Sequence, residues 1–378
     1  MKLKKVLLVC LLPAFVISGC GKTTTDETEN TTKQESAVEE TAQEEQETGD
    51  TETESEASGE DTDEETEASK DLFAMDTYMT LTAYGEHAQE AVDKAAERVE
   101  ALDALLSTGS EDSEIYQLNQ NGEATLSEEG GYLVERALEL YKKTEGAFDI
   151  AIYPVMQAWG FPTQDYHVPD DDTLKEKLAL ADASKVKYDK DTRKISFDQD
   201  GMEIDLGGIA KGYTSSQIMQ IYQDCGVTSG LVNLGGNVQA LGCKTDGSKW
   251  RVAIQSPDDT EEYLGILEIE DQAVITSGGY ERYFEEDGVT YHHIIDPATG
   301  YPADSGLISV TIVSDDGTLA DGLSTSLFIM GEEKAAQFWR ENSDEFEAIM
   351  ETSDGKLYVT EGIADSLTTD MDVTVIEK

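Results

Sequence analysis

Positive charge is scarce in this 378-residue chain: 27 Lys and Arg stand against 80 Asp and Glu, a formal net charge of −53. A surface of that sign repels phosphate backbones and generic anionic membrane faces, which argues against nucleic acid as a partner. Cysteine is also sparse, with four in the chain, and the spacing of Cys225 and Cys243 resembles no metal motif. A disulfide between them or two buried free thiols both remain open, because spacing does not fix a Cα separation. The glycine-rich stretch "IDLGGIAKGY" (residues 204–213) lacks the G-x-G-x-x-G of dinucleotide folds and the G-x-x-x-x-G-K-[ST] of a P-loop. Regular alternation of strands and helices is missing, which disfavours a doubly wound parallel sheet. Residues 21–70 contain no aromatic at all.

The N-terminus carries Lys2, Lys4 and Lys5, then an apolar run over residues 6–16, then "ISGC" ending at Cys20. The run is short for a permanent membrane helix, and the order of charge, apolar stretch and small residues is that of a secretory signal. "ISGC" resembles a lipobox, so cleavage is expected before Cys20, which would carry the lipid; an ordinary signal peptide with a chance cysteine is the alternative. Each buried acyl methylene adds ~0.8 kcal/mol of membrane affinity. The expected location is extracytoplasmic, lipid-anchored to the cell membrane.

Between residues 21 and 70, 19 acidic residues face three lysines. Such a stretch buries too little to offset its ordering entropy, so it reads as a disordered acidic tether with a reach of roughly 40 Å. Residues 71–378 are then expected to form a single domain of the α+β class, with mixed or antiparallel sheet layers and interspersed helices.

Residues 72–85 are β-branched and aromatic and end at Gly85, as a strand does. Three- and four-residue apolar spacings predict a helix over about residues 86–106 (Ala91, Ala95, Val99, Leu102, Leu106) and another over about 127–144 (Leu133, Ala137, Leu140, Tyr141). A third begins inside the glycine-rich motif, with Ile209, Tyr213, Ile218, Ile221 and Tyr222 as its stripe and Gly226 where a C-terminal cap belongs. The runs "GLVNLGGNVQALG", "WRVAIQ", "YLGILEI", "AVITSGGYERYF" and "LISVTIV" read as strands.

Four clusters carry chemistry: "GAFDIAIYPVMQAWGF", "IDLGGIAKGY", "YHHIIDPATGYP" and "LADGLSTSLFIMG". Asp321 and Thr325 are four apart at what reads as a helix start, so a carboxylate and a hydroxyl face one way. Hard oxygens of that kind suit Mg²⁺, which completes its shell with water and substrate phosphate. Asp321 as a helix N-cap is the competing reading. In this order and at these separations the clusters, with "MDTYM" at Met75, resemble the ApbE family of FAD:protein FMN transferases from about Phe73 to near the C-terminus.

The resemblance implies Mg²⁺-dependent transfer of the FMN moiety of FAD to a threonine or serine hydroxyl of a target protein, with release of AMP. It implies FAD contacts from Met75, Ala147, Phe148, Asp149, Asp205, Lys211, His293 and Ile295. It further implies metal ligation by Gly208 (through its carbonyl), Asp321 and Thr325, and catalytic roles for His293 and Asp321. Tyr153, Trp159 and Phe161 read as core. The expected partners are acceptor flavoproteins at the membrane or cell surface. One departure stands out: where family members commonly have an aromatic after Ser-Thr, this chain has Gly109. Hydrolysis of FAD to FMN and AMP is therefore the rival reading, and a non-catalytic flavin-binding lipoprotein is a third, of a different class.

Overall fold

The computed structural model describes residues 66–257, 259 and 262–378. The signal segment, Cys20 and the tether up to residue 65 lie outside the described residues. The described residues fall within one compact unit.

Nine strands make the central sheet and lie in it in chain order: β1 (Glu67–Ala74), β2 (Thr77–Tyr84), β3 (Ser229–Leu234), β4 (Asn237–Leu241), β5 (Ala273–Gly278), β6 (Leu307–Ser314), β7 (Glu347–Thr352), β8 (Leu357–Thr360) and β9 (Val373–Ile376). Neighbours are antiparallel except β8 and β9, which run parallel. The strand expected over residues 72–85 is in fact a hairpin, and β1 begins at Glu67, inside the stretch assigned to the tether. The chain reverses at Met75 and Asp76, with φ of 49° and 60°. Positive φ at both central positions matches the right-handed twist of the flanking strands.

Eight α-helices accompany the sheet among the described residues: α1 (Ala88–Leu106), α2 (Glu114–Asn121), α3 (Glu128–Lys143), α4 (Tyr153–Ala158), α5 (Asp171–Leu178), α6 (Gly207–Asp224), α7 (Gly317–Met330) and α8 (Glu332–Asn342). The expected helices coincide with α1, α3 and α6, and Gly226 follows α6 at φ 81°. Strand alternation sorts the two faces of the sheet. Ile275, Ile312, Ala348 and Met350 share a core with Ile209 of α6 and Leu319, Leu323 and Leu327 of α7. Their neighbours Val274, Val313 and Ile349 point the other way, onto Trp250, Ile254 and Leu267 of a small three-stranded sheet (Trp250–Gln255, Tyr263–Ile269, Leu367–Thr368). Each fully buried aliphatic side chain in these layers stabilises the fold by roughly 1.5–3 kcal/mol.

Helices α6 and α7 cross at Gly212 and Gly317. A Cβ on Gly212 would stand 2.0 Å from the Gly317 carbonyl oxygen and 2.6 Å from the Asp321 Cβ. The third glycine of "IDLGGIAKGY" therefore answers to helix contact, and that contact brings the motif against Asp321. Cys225 and Cys243 are free thiols, each half-buried rather than buried.

Candidate active site

A cavity of ≈ 530 Å³ opens beside the start of α6, and every flavin- or metal-site residue named from the sequence lines it: Met75, Ala147, Phe148, Asp149, Asp205, Gly208, Lys211, His293, Ile295, Asp321 and Thr325. They arrive from the β1–β2 turn, the segment before α4, both ends of the α6 entry, the loop before β6, and α7. Tyr153 and Phe161, read as core, are buried and also face this cavity, while Trp159 is fully enclosed.

The entry to α6 is shaped by Asp205, whose Oδ1 accepts the Gly207 N–H at 2.8 Å. Burial raises the Asp205 carboxyl above its ordinary range, against the Gly207 N–H, Arg282 and Lys211, which favour its charged form. A Cβ on Gly208 would lie 3.2 Å from the Phe148 ring, so glycine lets the helix start press against that wall. Asp149, expected as a flavin contact, has both oxygens engaged: Oδ1 accepts Ala151 N–H at 2.8 Å and Oδ2 accepts Ala183 N–H at 3.1 Å. Burial pushes it up to about 6. Its first task is to pin the turn that presents Phe148.

Asp321 does not start a helix. Asp316 caps α7, accepting Leu319 N–H at 3.0 Å, and Asp321 sits more than a turn further in, 4% exposed. Its Oδ2 accepts Gly212 N–H at 2.8 Å and its Oδ1 accepts Asn237 Nδ2 at 3.0 Å, both from neutral donors. In a regular helix the Gly212 N–H points at the Gly208 carbonyl, four residues back; here it also serves the Asp321 carboxylate. Ser324 Oγ donates to the Asp321 carbonyl at 2.8 Å. With that proton committed, Ser277 Oγ donates to Ser324 (2.8 Å) and Thr325 Oγ1 donates to Ser277 (3.3 Å), leaving the Thr325 lone pairs unused by the relay.

These residues fit a divalent cation through donor chemistry: a buried carboxylate bonded by neutral groups, a hydroxyl with open lone pairs, and a glycine carbonyl in the first turn of α6 that keeps a second lone pair beyond any helical bond. Among the described residues no group of three His, Cys, Asp or Glu gathers as a metal site, so such a cation would take the rest of its shell from substrate and water.

His293 donates through its backbone N–H (3.0 Å) and its ring Nδ1 (3.1 Å) to the Arg282 carbonyl. Because a carbonyl only accepts, Nδ1 carries the proton and Nε2 presents a lone pair. Burial, with help from Arg282 and Lys211, holds the ring down to about 3, so it is neutral at physiological pH. Expected as a proton acceptor or diphosphate ligand, His293 is thus a weak base and a hydrogen-bond acceptor.

Besides Asp76 and Asp103, two ionisable residues of the cavity were missed. Glu281 is exposed as a residue, but desolvation of its carboxyl among the groups lining the cavity, together with Asp321, pushes it up to about 7 against Lys211; Arg282 donates to the Phe161 carbonyl and acts on both Asp205 and His293. Both were hidden inside "AVITSGGYERYF", read as one strand; β5 stops at Gly278, and the chain then turns toward the cavity. The doubled glycine before "YER" was the available signal.

The chain matches the profile of the ApbE family over residues 75–350. It is 36% identical over 296 residues to a FAD:protein FMN transferase of Treponema pallidum (strain Nichols), covering 73% of this chain and 82% of that protein. It is 34% identical over 262 residues to one of Klebsiella pneumoniae (strain 342), covering 68% and 81%. Among solved structures, the ApbE protein of Thermotoga maritima superposes with a TM-score of 0.75 at 29% identity, over 80% of this chain and 99% of that one. The flavin transferase ApbE of Vibrio cholerae gives 0.72 at 29%, with the same coverage. With the cavity assembled from all of the family's motifs and these likenesses spanning most of the folded unit, the chain belongs to the ApbE family.

Proposed function

We propose that this chain transfers the FMN half of FAD to a threonine or serine hydroxyl of another protein, releasing AMP and requiring Mg²⁺. The observation that carries the reading is the convergence, in one cavity, of the Asp321–Thr325 pair, the Gly207–Gly208 helix entry and Lys211 beside the apolar wall of Phe148. Helix N-termini and a lysine together suit a diphosphate.

The acceptor oxygen forms a bond to the FMN-side phosphorus, the bond from that phosphorus to the bridging oxygen breaks, and AMP leaves with that oxygen. Asp321, Thr325 and the Gly208 carbonyl would hold the Mg²⁺, which when bound offsets negative charge on the diphosphate. The Gly208 N–H and Lys211 bind phosphate oxygens. Glu281 takes the proton from the attacking hydroxyl, since its carboxyl, pushed up to about 7, is matched to working pH. His293, with a bare Nε2, orients a substrate hydroxyl. Incubating the chain with FAD, with and without Mg²⁺ and an acceptor protein, tests this: Mg²⁺-dependent AMP together with covalently bound flavin supports transfer, and no AMP under any condition leaves only a flavin binder.

Hydrolysis accompanies transfer in this reading because Gly109, which lines the cavity, is exposed and places no side chain over it. Its φ is not positive, and an added Cβ meets nothing nearer than Ser107 Oγ at 3.9 Å. Gly109→Tyr should therefore fold and lower the ratio of AMP released without acceptor to flavin bound with it, by about threefold to tenfold, the scale of a partly excluded water. An unchanged ratio on a well-folded variant rules out this position as the control of water entry.

The proposal includes anchoring through Cys20 on the outer face of the cell membrane, supported by the lipobox-like "ISGC", with acceptor flavoproteins at the membrane or cell surface. Cys20→Ser should move the protein from the membrane to the soluble fraction with FAD turnover unchanged. Continued membrane association would remove the anchor from the scheme.

A further inference from the structure

We propose that the outer corner of the β1–β2 hairpin, marked by Phe73 and Tyr78, is the surface on which an extended segment of the acceptor polypeptide docks; this rests on the transfer reading above. Phe73 and Tyr78 are 62% and 71% exposed, the highest values among the exposed large hydrophobic side chains of the described residues. They are cross-strand partners and pack edge to face, with ring centroids 5.1 Å apart. The rings therefore brace one another while leaving their outer faces in solvent. On the opposite face of the hairpin, Ala74, Met79, Leu81 and Ala83 are buried under the helices, so the aromatic pair is not a by-product of core packing.

The patch is continuous with the reaction cavity. Between the two rings lies the tight turn of Met75 and Asp76, and both turn residues line the cavity. That turn is tied down from inside: Thr214 Oγ1, whose proton goes to the Ala210 carbonyl at 2.7 Å, touches Met75 Sδ at 3.8 Å, and the Met75 backbone lies beside the Asp103 carboxyl. A residue spans about 3.3 Å of strand, so a chain seated on the ring pair needs only two or three residues, roughly 7–10 Å, to carry a hydroxyl around the turn. Further along the same face the small sheet covers Tyr84, Leu231 and Val238, but it stops short of this corner.

An extended polypeptide fits better than other occupants for two reasons. β1 is an edge strand, paired among the described residues with β2 alone, so its outer N–H and C=O groups can take an added strand. The patch is also flanked by Asp71 and Asp76, which repel anionic lipid headgroups and favour a neutral or basic segment. The acceptor segment then carries an apolar or aromatic side chain two or three residues from the modified threonine or serine.

The full chain carrying Phe73→Ser and Tyr78→Ser tests this, with envelope proteins from a strain lacking the gene as acceptor and in-gel flavin fluorescence as readout. Covalent labelling at low acceptor concentration should fall by about tenfold or more, the scale of losing aromatic anchors. It should recover as acceptor is raised, and AMP release from FAD alone should stay within about twofold of the native rate. Phe73→Tyr with Tyr78→Phe should label as the native chain does. Labelling by the serine variant equal to the native chain overturns the inference, as does a parallel fall in AMP release, which would place the pair in the FAD site. Loss of a dimer in sedimentation, or of binding to phosphatidylglycerol vesicles, with labelling intact, assigns the patch to self-association or lipid instead. If the native chain releases AMP yet labels nothing, the transfer reading itself fails and this inference falls with it.

Discussion

Asp321→Ala is expected to reduce Mg²⁺-dependent AMP release by about 10³-fold or more, in line with removing a preorganised charge from a reacting centre. The side chain is buried and bonded by Gly212 N–H and Asn237 Nδ2, so alanine also strands two donors. That costs about 1–3 kcal/mol apiece when nothing replaces the acceptor, a lowered melting temperature but not an unfolded chain. Asp321→Asn separates charge from packing. Its amide keeps the volume and one acceptor for Gly212 while losing the charge, and it should still lose nearly all turnover. Thr325→Val keeps the shape and removes only the hydroxyl lone pairs, for a smaller loss of about tenfold. AMP release and thermal melts on the three variants decide the matter: near-native turnover by Asp321→Asn would refute the ligand assignment and leave Asp321 as a clamp between α6 and α7.

The elements that could be read from sequence are those whose signal is local. The stripes of α1, α3 and α6 depend on residues within four positions of each other, and the packing buries them apart from Tyr141 and Ile221, which are half-buried. The site clusters were legible because each is a contiguous motif, and the fold brings Asp205, Lys211, His293 and Asp321 to one cavity although more than 100 residues separate the first from the last. What escaped depends on long-range partners. Nothing near Met75 and Asp76 marks a two-residue turn, since the usual Asn-Gly is absent and the reversal is held by cavity contacts from Thr214 and Asp103. Asp316 and Asp321 are equally plausible caps within one segment, and only the approach of Gly212 and Asn237 decides that Asp321 turns inward. Glu281 looks in sequence like any acid at a strand end. Its raised affinity for a proton comes from desolvation among the groups lining the cavity and from Asp321, forty residues away.

That affinity predicts the pH dependence of the reaction. Glu281 must be ionised to take the acceptor proton, so kcat/KM for transfer should rise with pH and level off above about 7, where the carboxyl lining the cavity has lost its own proton. His293, held down to about 3, has no ionisation to contribute near neutrality. Glu281→Gln keeps the side-chain volume and removes the titration. The variant should lose about 10²–10⁴-fold in kcat/KM, the usual worth of a positioned general base, and its remaining rate should be flat through the neutral range. Stability should move in a linked way. The Glu281 pKa is raised from its ordinary 4.5 to about 7, so its protonated form supports the fold, and that support is lost as pH rises through about 7. Glutamine stays neutral throughout, so the stability of the variant relative to the native chain should increase between about pH 4.5 and 7 and stay constant above it. Rate profiles and chemical denaturation across this range test both effects on one protein. A limb near pH 7 that survives in Glu281→Gln belongs to another group and removes Glu281 as the base.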